Sequence, residues 1–322
     1  MKTTPKILLL SIALLALTRQ PALAQNERFE PFKYGDMNHW ITRHIKESGI
    51  IGGNTKTLYE IGPEQTIDKN EAFVNQGGSP WGTSNVMAKV SGITKTNTSV
   101  YRDKRGDGYC CKMVTHIETC KVLGLINIKV LAAGSIFLGS MREPITGTKD
   151  GVRALNWGVP FTKRPKAIKY DYKISVPGNP NRIKMTGFGG KSTVEGPDLC
   201  TTVVYLQKRT EDSEGNVTAK RVGTMVVTYG KSTKGWVNGA KYDIWYGDIR
   251  NHPGYNEQLM GLRSDSYVRN SKGEHVLLTE TGWASPDETP THIIVQFSSS
   301  HGGAFVGTVG NTMWVDNVGL VY

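Results

Sequence analysis

The feature that most constrains this chain is a period of two. In "KAIKYDYKISV" (Lys166 to Val176), Ile168, Tyr170, Tyr172, Ile174 and Val176 fall on one side, and Lys169, Asp171, Lys173 and Ser175 on the other. One apolar and one wet face is the signature of a half-buried antiparallel strand. "THIIVQFSSS" repeats it with Ile293, Val295 and Phe297. "LCTTVVYLQKR" and "KRVGTMVVTY" flank the polar, Gly-containing "TEDSEGNVTA" and read as a hairpin. "TMWVDNVGLVY" reads as a last strand. "VLGLINIKVLAAGSIFLG" (Val122 to Gly139) reads as one or two buried strands, because Gly, Asn127 and Lys129 interrupt it as a membrane span. "DMNHWITRHIKES" (Asp36 to Ser48) fits a short helix or a strand, and the alternation of Ile41, Arg43 and Ile45 against Trp40, Thr42 and His44 favours strand plus loop. The 37 glycines are dispersed, and no long helical periodicity occurs. Many strands between Gly, Pro and Asn turns imply an all-β, mostly antiparallel sandwich of jelly-roll type.

The N-terminus reads as an export signal. Lys2 and Lys6 precede the apolar "ILLLSIALLAL", and "ALA" at Ala22 to Ala24 fits a small-x-small cleavage site. The apolar run is too short to span a bilayer. No Cys follows it near the cleavage site, so a lipoprotein is not expected. Residues 1–24 are thus expected to be a signal peptide, with 25–322 exported as one domain to the periplasm, or secreted or placed at the cell surface. The leader holds three of the 39 basic residues and none of the 28 acidic ones, which leaves 36 against 28. That excess is scattered and reads as a solubilising surface, and export argues against a nucleic-acid partner. No transmembrane segment is expected after cleavage.

"YRDKRGDGYCCKMV" (Tyr101 to Val114) admits four readings. A calcium loop counted from Asp103 would have Arg105 at its third position and Val114 at its twelfth, where acidic ligands are needed. A zinc site needs spaced cysteine pairs, and the adjacent Cys110 and Cys111 would point to opposite faces of a strand. An RGD adhesion tripeptide would need an exposed loop and a receptor. The remaining reading is a polar turn feeding a strand. Cys110, Cys111, Cys120 and Cys200 are buried thiols or disulfide partners, and their pairing stays open. No metal or cofactor is expected.

The motifs "YGDMNHW", "IGGNTKTLYEIGP", "VYRDKRGDGYCCKMVT", "LAAGSIFLG", "GVPFTKRPKAIKYDYK" and "MWVDNVGLVY", spread from about Phe29 to Tyr322, resemble the Putative carbohydrate metabolism domain family. These are exported β-jelly-roll proteins of gut bacteria. The resemblance implies a jelly roll and a polysaccharide or oligosaccharide partner. Some members resemble a two-domain layout with an immunoglobulin-like module in front. Here too few residues precede "SNVMAKV" for that, so residues 25–80 are expected to supply the first strands of the same jelly roll.

Sugar sites combine an aromatic plane, which stacks on the C–H face of a ring, with polar groups for hydroxyls. Of seven tryptophans, Trp157 in the Gly/Pro-bounded "RALNWGVPFTKRP", with Arg153, Asn156, Lys163 and Arg164 nearby, is the first candidate. Trp283 in "TGWASPDETP" and Trp236 between Gly235 and Asn238 follow. Hydrolysis would need two carboxylates about 5 to 9.5 Å apart. Asp36, Asp171, Asp243, Asp248 and Asp316 lie in aromatic-rich stretches, but no motif pairs them. No G-x-S-x-G or H-E-x-x-H occurs, and His44, His116 and His301 stand isolated. The reading is therefore a glycan binder with no catalytic motif. A glycoside hydrolase or polysaccharide lyase on the same fold, and an envelope structural or adhesion protein, are the alternatives. The sugar and the oligomeric state stay open.

Overall fold

The computed structural model describes residues 27–74, 78–122, 126–147, 150–187 and 189–322; the expected signal peptide lies outside them. The described residues form an all-β sandwich of two large sheets. One has six strands. Its main path runs Val237–Asp243, Ala167–Ser175, Thr312–Val321, Gly108–Val114 and Val100–Arg105, with Phe29–Pro31 beside Thr312–Val321. The second has ten strands. Its path runs Leu155–Trp157, Ser135–Met141, His292–Ser298, Cys200–Glu211, Val217–Tyr229, His275–Trp283 and Ser266–Arg269. Within that path only the Val217–Tyr229/His275–Trp283 pair is parallel. The expected hairpin forms between Cys200–Glu211 and Val217–Tyr229, with Glu211 opposite Val217.

Alternation places the core. Ile136, Leu138, Val204, Leu206, Val295 and Phe297 of the ten-stranded sheet pack on Ile168, Tyr170, Ile174, Met313 and Val315 of the six-stranded one. Trp40 and Trp81 close this core, each at most 2% exposed. Trp40–Lys46 is a strand with Ile41, Arg43 and Ile45 buried, as the alternation predicts. Arg43 is tolerated there because two carboxylates hold it: Glu60 at 3.0 Å and Glu143 at 2.5 Å.

Two expectations need correction. The apolar stretch from Val122 forms two whole strands, Ile126–Ala132 and Ser135–Met141, after the end of a third, His116–Val122. Only the Ser135–Met141 strand is buried in the sandwich; Ile126–Ala132 pairs in a separate hairpin whose Ile128 and Val130 are half-buried. The strand Ala167–Ser175 keeps its alternation, but Asp171 on its outer face is not wet: Arg105, Asn317 Nδ2 and the Gly239 N–H cover it, and the bulge beside it lies in Thr312–Val321, where Asn317 and Val318 face Tyr170. There Asn317 adopts φ +52°, a left-handed conformation that Asn tolerates. Of the two states left open for the four cysteines, the structure shows free thiols, three buried and Cys120 half-buried.

The opening of "YRDKRGDGYCCKMV" is scaffold. Gly106 and Asp107 turn between Val100–Arg105 and Gly108–Val114, with Gly106 at φ +55°. Arg105 is not available to a receptor. Its guanidinium bonds Asp316 at 2.6 Å and Asp171 at 2.9 Å, and lies 3.9 Å from the Trp236 ring centroid. Cys111 joins the core, whereas the Cys110 thiol donates to the Asp103 carbonyl on the other side, as opposite strand faces require.

Candidate active cleft

The strands of the ten-stranded sheet have a second face. Residues that alternate with the core positions, Val203 and Tyr205, Ile294 and Gln296, and Val226, form the floor of a cleft of about 630 Å³. The register fixes this floor, with Val203 opposite both Gln296 and Val226, and Tyr205 opposite Ile294. A volume of that size falls within the usual range for ligand sites, and apolar walls with a few polar groups are their usual lining.

Four excursions of the chain make the walls. The hairpin Val86–Val90/Ile93–Asn97 and the hairpin His116–Val122/Ile126–Ala132 stand on one side. They are joined by Lys95, whose Nζ reaches Glu118 at 2.7 Å and Glu47 at 2.9 Å. Burial works against the Lys95 charge, but the two carboxylates outweigh it and hold its pKa above the ordinary value. Opposite stands the segment after the short helix Glu257–Met260, carrying Arg263 and Asp265. Its base is pinned by the buried Arg221, which donates to the carbonyls of Met260 and Gly261 at 3.4 Å each. Ser300 to Phe305 make the fourth wall.

Of the residues singled out from the sequence, Trp157 lines the cleft. It is not on a loop. It ends the short edge strand Leu155–Trp157, paired with Ser135–Met141, and its ring packs on Phe137 at 4.6 Å. Arg209 donates to the Trp157 carbonyl at 2.8 Å and fixes its main chain; burial brings that guanidinium down to about 10. Asn156 is occupied in scaffolding, since its Oδ1 accepts from the Arg269 N–H at 2.8 Å. Arg153 is exposed at the end of the helix Asp150–Arg153. Arg164 lies over the Tyr246 ring at 4.3 Å and donates to the carbonyls of Pro286 and Glu288.

Trp283 and Trp236 lie elsewhere. Trp283 ends the strand His275–Trp283, edge-on to Tyr255, and is half-buried. Trp236 lies on the outer face of the six-stranded sheet under Arg105. The three tryptophans therefore do not share one site. Each is anchored by intramolecular contacts, and only Trp157 meets the cleft.

The carboxylates sort equally clearly. Asp171 and Asp316 are brought together, but Arg105 lies between them as a shared partner. Asp248 pairs with Arg250 at 2.6 Å. None of the five aspartates proposed from the sequence lines the cleft. Glu118 and Asp265 do, and each is already neutralised, by Lys95 and by Arg263 at 2.6 Å. Alternation could have pointed to this site: Val203, Val226 and Ile294 occupy positions that should face water. Lys95, Glu118, Arg263 and Asp265 carried no sequence signal, because their partners are set by the fold.

A family model described as "Putative carbohydrate metabolism domain" matches residues 54–245. No curated protein matches the chain. Among solved structures, a putative glycoside hydrolase from Bacteroides thetaiotaomicron aligns at 16% identity and a TM-score of 0.43, covering 83% of this chain and 75% of that one. A second, from Bacteroides vulgatus, aligns at 14% identity and 0.39, covering 92% and 95%. The family match spans more than half of the sequence, and the chain belongs to the Putative carbohydrate metabolism domain family.

Proposed function

We propose that this is an exported glycan-binding protein that holds a polysaccharide or oligosaccharide in the cleft on the ten-stranded sheet. The observation that carries the reading is the cleft itself, with Trp157 on its wall, in a chain of a carbohydrate-metabolism family. Trp157 offers a ring plane, and Gln258 and Gln296 offer donors and acceptors for hydroxyls along the same cavity. Binding is favoured over two-carboxylate hydrolysis because Glu118 and Asp265 each already hold a cation. Export rests on the leader at residues 1–24; N-terminal sequencing of protein expressed with its leader in a Gram-negative host should begin at Gln25.

The test is native electrophoresis of the mature protein through gels cast with neutral and acidic polysaccharides. Retardation by at least one polymer is expected. Trp157→Ala should abolish it, and Trp236→Ala, on the far sheet, should leave it intact. Unchanged mobility across the whole panel would rule the reading out.

A further inference from the structure

The binding reading leaves one group on the cleft wall unused. His301 lines the cleft, and its Nδ1 lies 3.2 Å from Asp198 Oδ1. The Asp198 side chain is fully buried, whereas that of His301 keeps 18% of its surface open. Asp198 is held rigidly. Its Oδ1 accepts from Ser300 Oγ at 2.8 Å and the Leu199 N–H at 3.0 Å, and its Oδ2 from the Thr308 N–H at 2.7 Å and Asn311 Nδ2 at 3.1 Å. The Leu199 N–H is equally 3.0 Å from His301 Nδ1, so it serves the carboxylate when Nδ1 carries the proton. Nε2 has no hydrogen-bond partner among the described residues. A buried carboxylate that accepts Nδ1–H leaves a lone pair on Nε2 and stabilises the imidazolium formed when that lone pair takes a proton.

Three neighbouring features narrow the chemistry. Ser298 and Ser300 share the wall, but Ser298 Oγ donates to the Ser300 carbonyl at 2.7 Å and Ser300 Oγ to Asp198, so neither is poised as a nucleophile for His301. Directly after His301 the chain turns through Gly303 at φ +76°, and the N–H groups of Gly303 and Ala304, both at the cleft, have no acceptor among the described residues. Consecutive free N–H groups at such a turn suit a developing oxyanion. Lastly, Ile128, Val130, Leu131, Val203, Val226 and Ile294 give the cavity more aliphatic wall than a sugar ring alone would use.

Resting on the glycan reading above, we propose that the cleft hydrolyses an acyl ester carried by its glycan, with His301 as general base on water. Nε2 takes a proton from water as the water oxygen bonds the ester carbonyl carbon. The π pair moves onto the carbonyl oxygen, within the donors of Gly303 and Ala304. The bond from that carbon to the sugar oxygen then breaks, the sugar oxygen leaves with the electron pair, and it takes the proton back from Nε2. The products are a carboxylic acid and a free sugar hydroxyl, with no redox change. The aliphatic wall takes the acyl group, and Asp198 is the positioning residue.

The experiment measures acid release from acetylated xylan and from 4-nitrophenyl butyrate by the mature protein. His301→Gln should slow release at least about 100-fold, the usual share of a general base. His44→Gln is the control, because His44 makes a similar contact with Asp68, at 2.5 Å, away from the cleft. It should not change the rate. Val203→Trp fills the floor and should suppress butyrate release. No release from either ester by the wild-type protein overturns the proposal, as does a His301→Gln variant at the wild-type rate or a Val203→Trp variant that cleaves butyrate unimpaired. Ester release dependent on His301 without retardation by any polysaccharide would sustain the chemistry and remove the glycan reading; retardation without release would do the reverse.

Discussion

Replacing Glu280 by Leu tests whether the cleft wall is set by one buried ion pair. Glu280 and Arg221 are both fully buried. Glu280 accepts from Arg221 Nε at 2.6 Å and Gln207 Nε2 at 2.7 Å through Oε1, and from the Arg263 N–H at 2.8 Å through Oε2, which also takes the Arg221 Nη2 donor. Arg221 in turn lies 3.5 Å from the Tyr205 ring centroid. Glu280→Leu strands a buried guanidinium and should cost about 3–5 kcal/mol. For a fold of typical stability, about 5–15 kcal/mol, that is a large share of the total. Arg221→Met should cost the same order. The double variant removes both charges, so its cost should fall short of the sum of the singles by about 3 kcal/mol. Urea unfolding followed by tryptophan fluorescence, with the slope unchanged between variants, measures all three. Glu280→Leu should also weaken glycan retardation at temperatures where the variant is folded, because the Arg263 N–H loses its acceptor. Single losses under about 1 kcal/mol, or strict additivity, would refute the reasoning.

Thiol titration of the native protein should find one reactive cysteine, the half-buried Cys120 at the cleft, and four in urea; burial pushes Cys110 and Cys200 up to about 12. A bulky label on Cys120 should then reduce glycan retardation. Burial, opposed by Arg43, raises Glu60 to about 7. The folded state therefore holds that proton more tightly than the unfolded chain, whose Glu titrates near about 4.3. The contribution of this group is fully present below the unfolded value and is lost as pH climbs through the folded one. Glu60→Gln should remove that part of the pH dependence, read as melting temperatures of variant and wild type from about pH 4 to about pH 8. Val203 and Val204 adjoin on one strand, one on the cleft floor and one fully buried in the core. Val204→Thr should cost about 1–3 kcal/mol for an unsatisfied hydroxyl. Val203→Thr should stay within about 0.5 kcal/mol, because its hydroxyl can meet water in the open cleft. Equal losses in denaturant titrations would place both residues in packed core.

The strands were legible where one face alone is buried. Lys166 to Val176, the hairpin around "TEDSEGNVTA" and Trp40 to Lys46 all appear in the register that alternation requires. Alternation gave the face of Asp171 but not its burial, because Arg105 and Asn317, which cover it, come from strands distant in sequence. Local composition misplaced Trp157. Gly158 and Pro160 beside it resemble a loop, yet a three-residue edge strand needs only a partner, and Ser135–Met141 supplies it.

The cleft was illegible for a different reason. A period of two says which residues share a face, but not what covers the second face of a sheet. In an antiparallel sandwich that face ordinarily meets water and reads as polar. Here Val203, Val226 and Ile294 lie on it, and the hairpins that rise beside them, Val86 to Asn97 and His116 to Ala132, come from much earlier in the chain. Apolar surface left open to a cavity, when a few larger side chains could fill it, forgoes packing that the same sheet obtains on its core face. His301 shows the same limit. It stands alone in the sequence because the carboxylate that orients it, Asp198, lies 103 residues away and is brought beside it when the strands Cys200–Glu211 and His292–Ser298 pair. The adjacency of those two strands thus builds both halves of the proposal: the apolar floor, and the proton-accepting group at its edge.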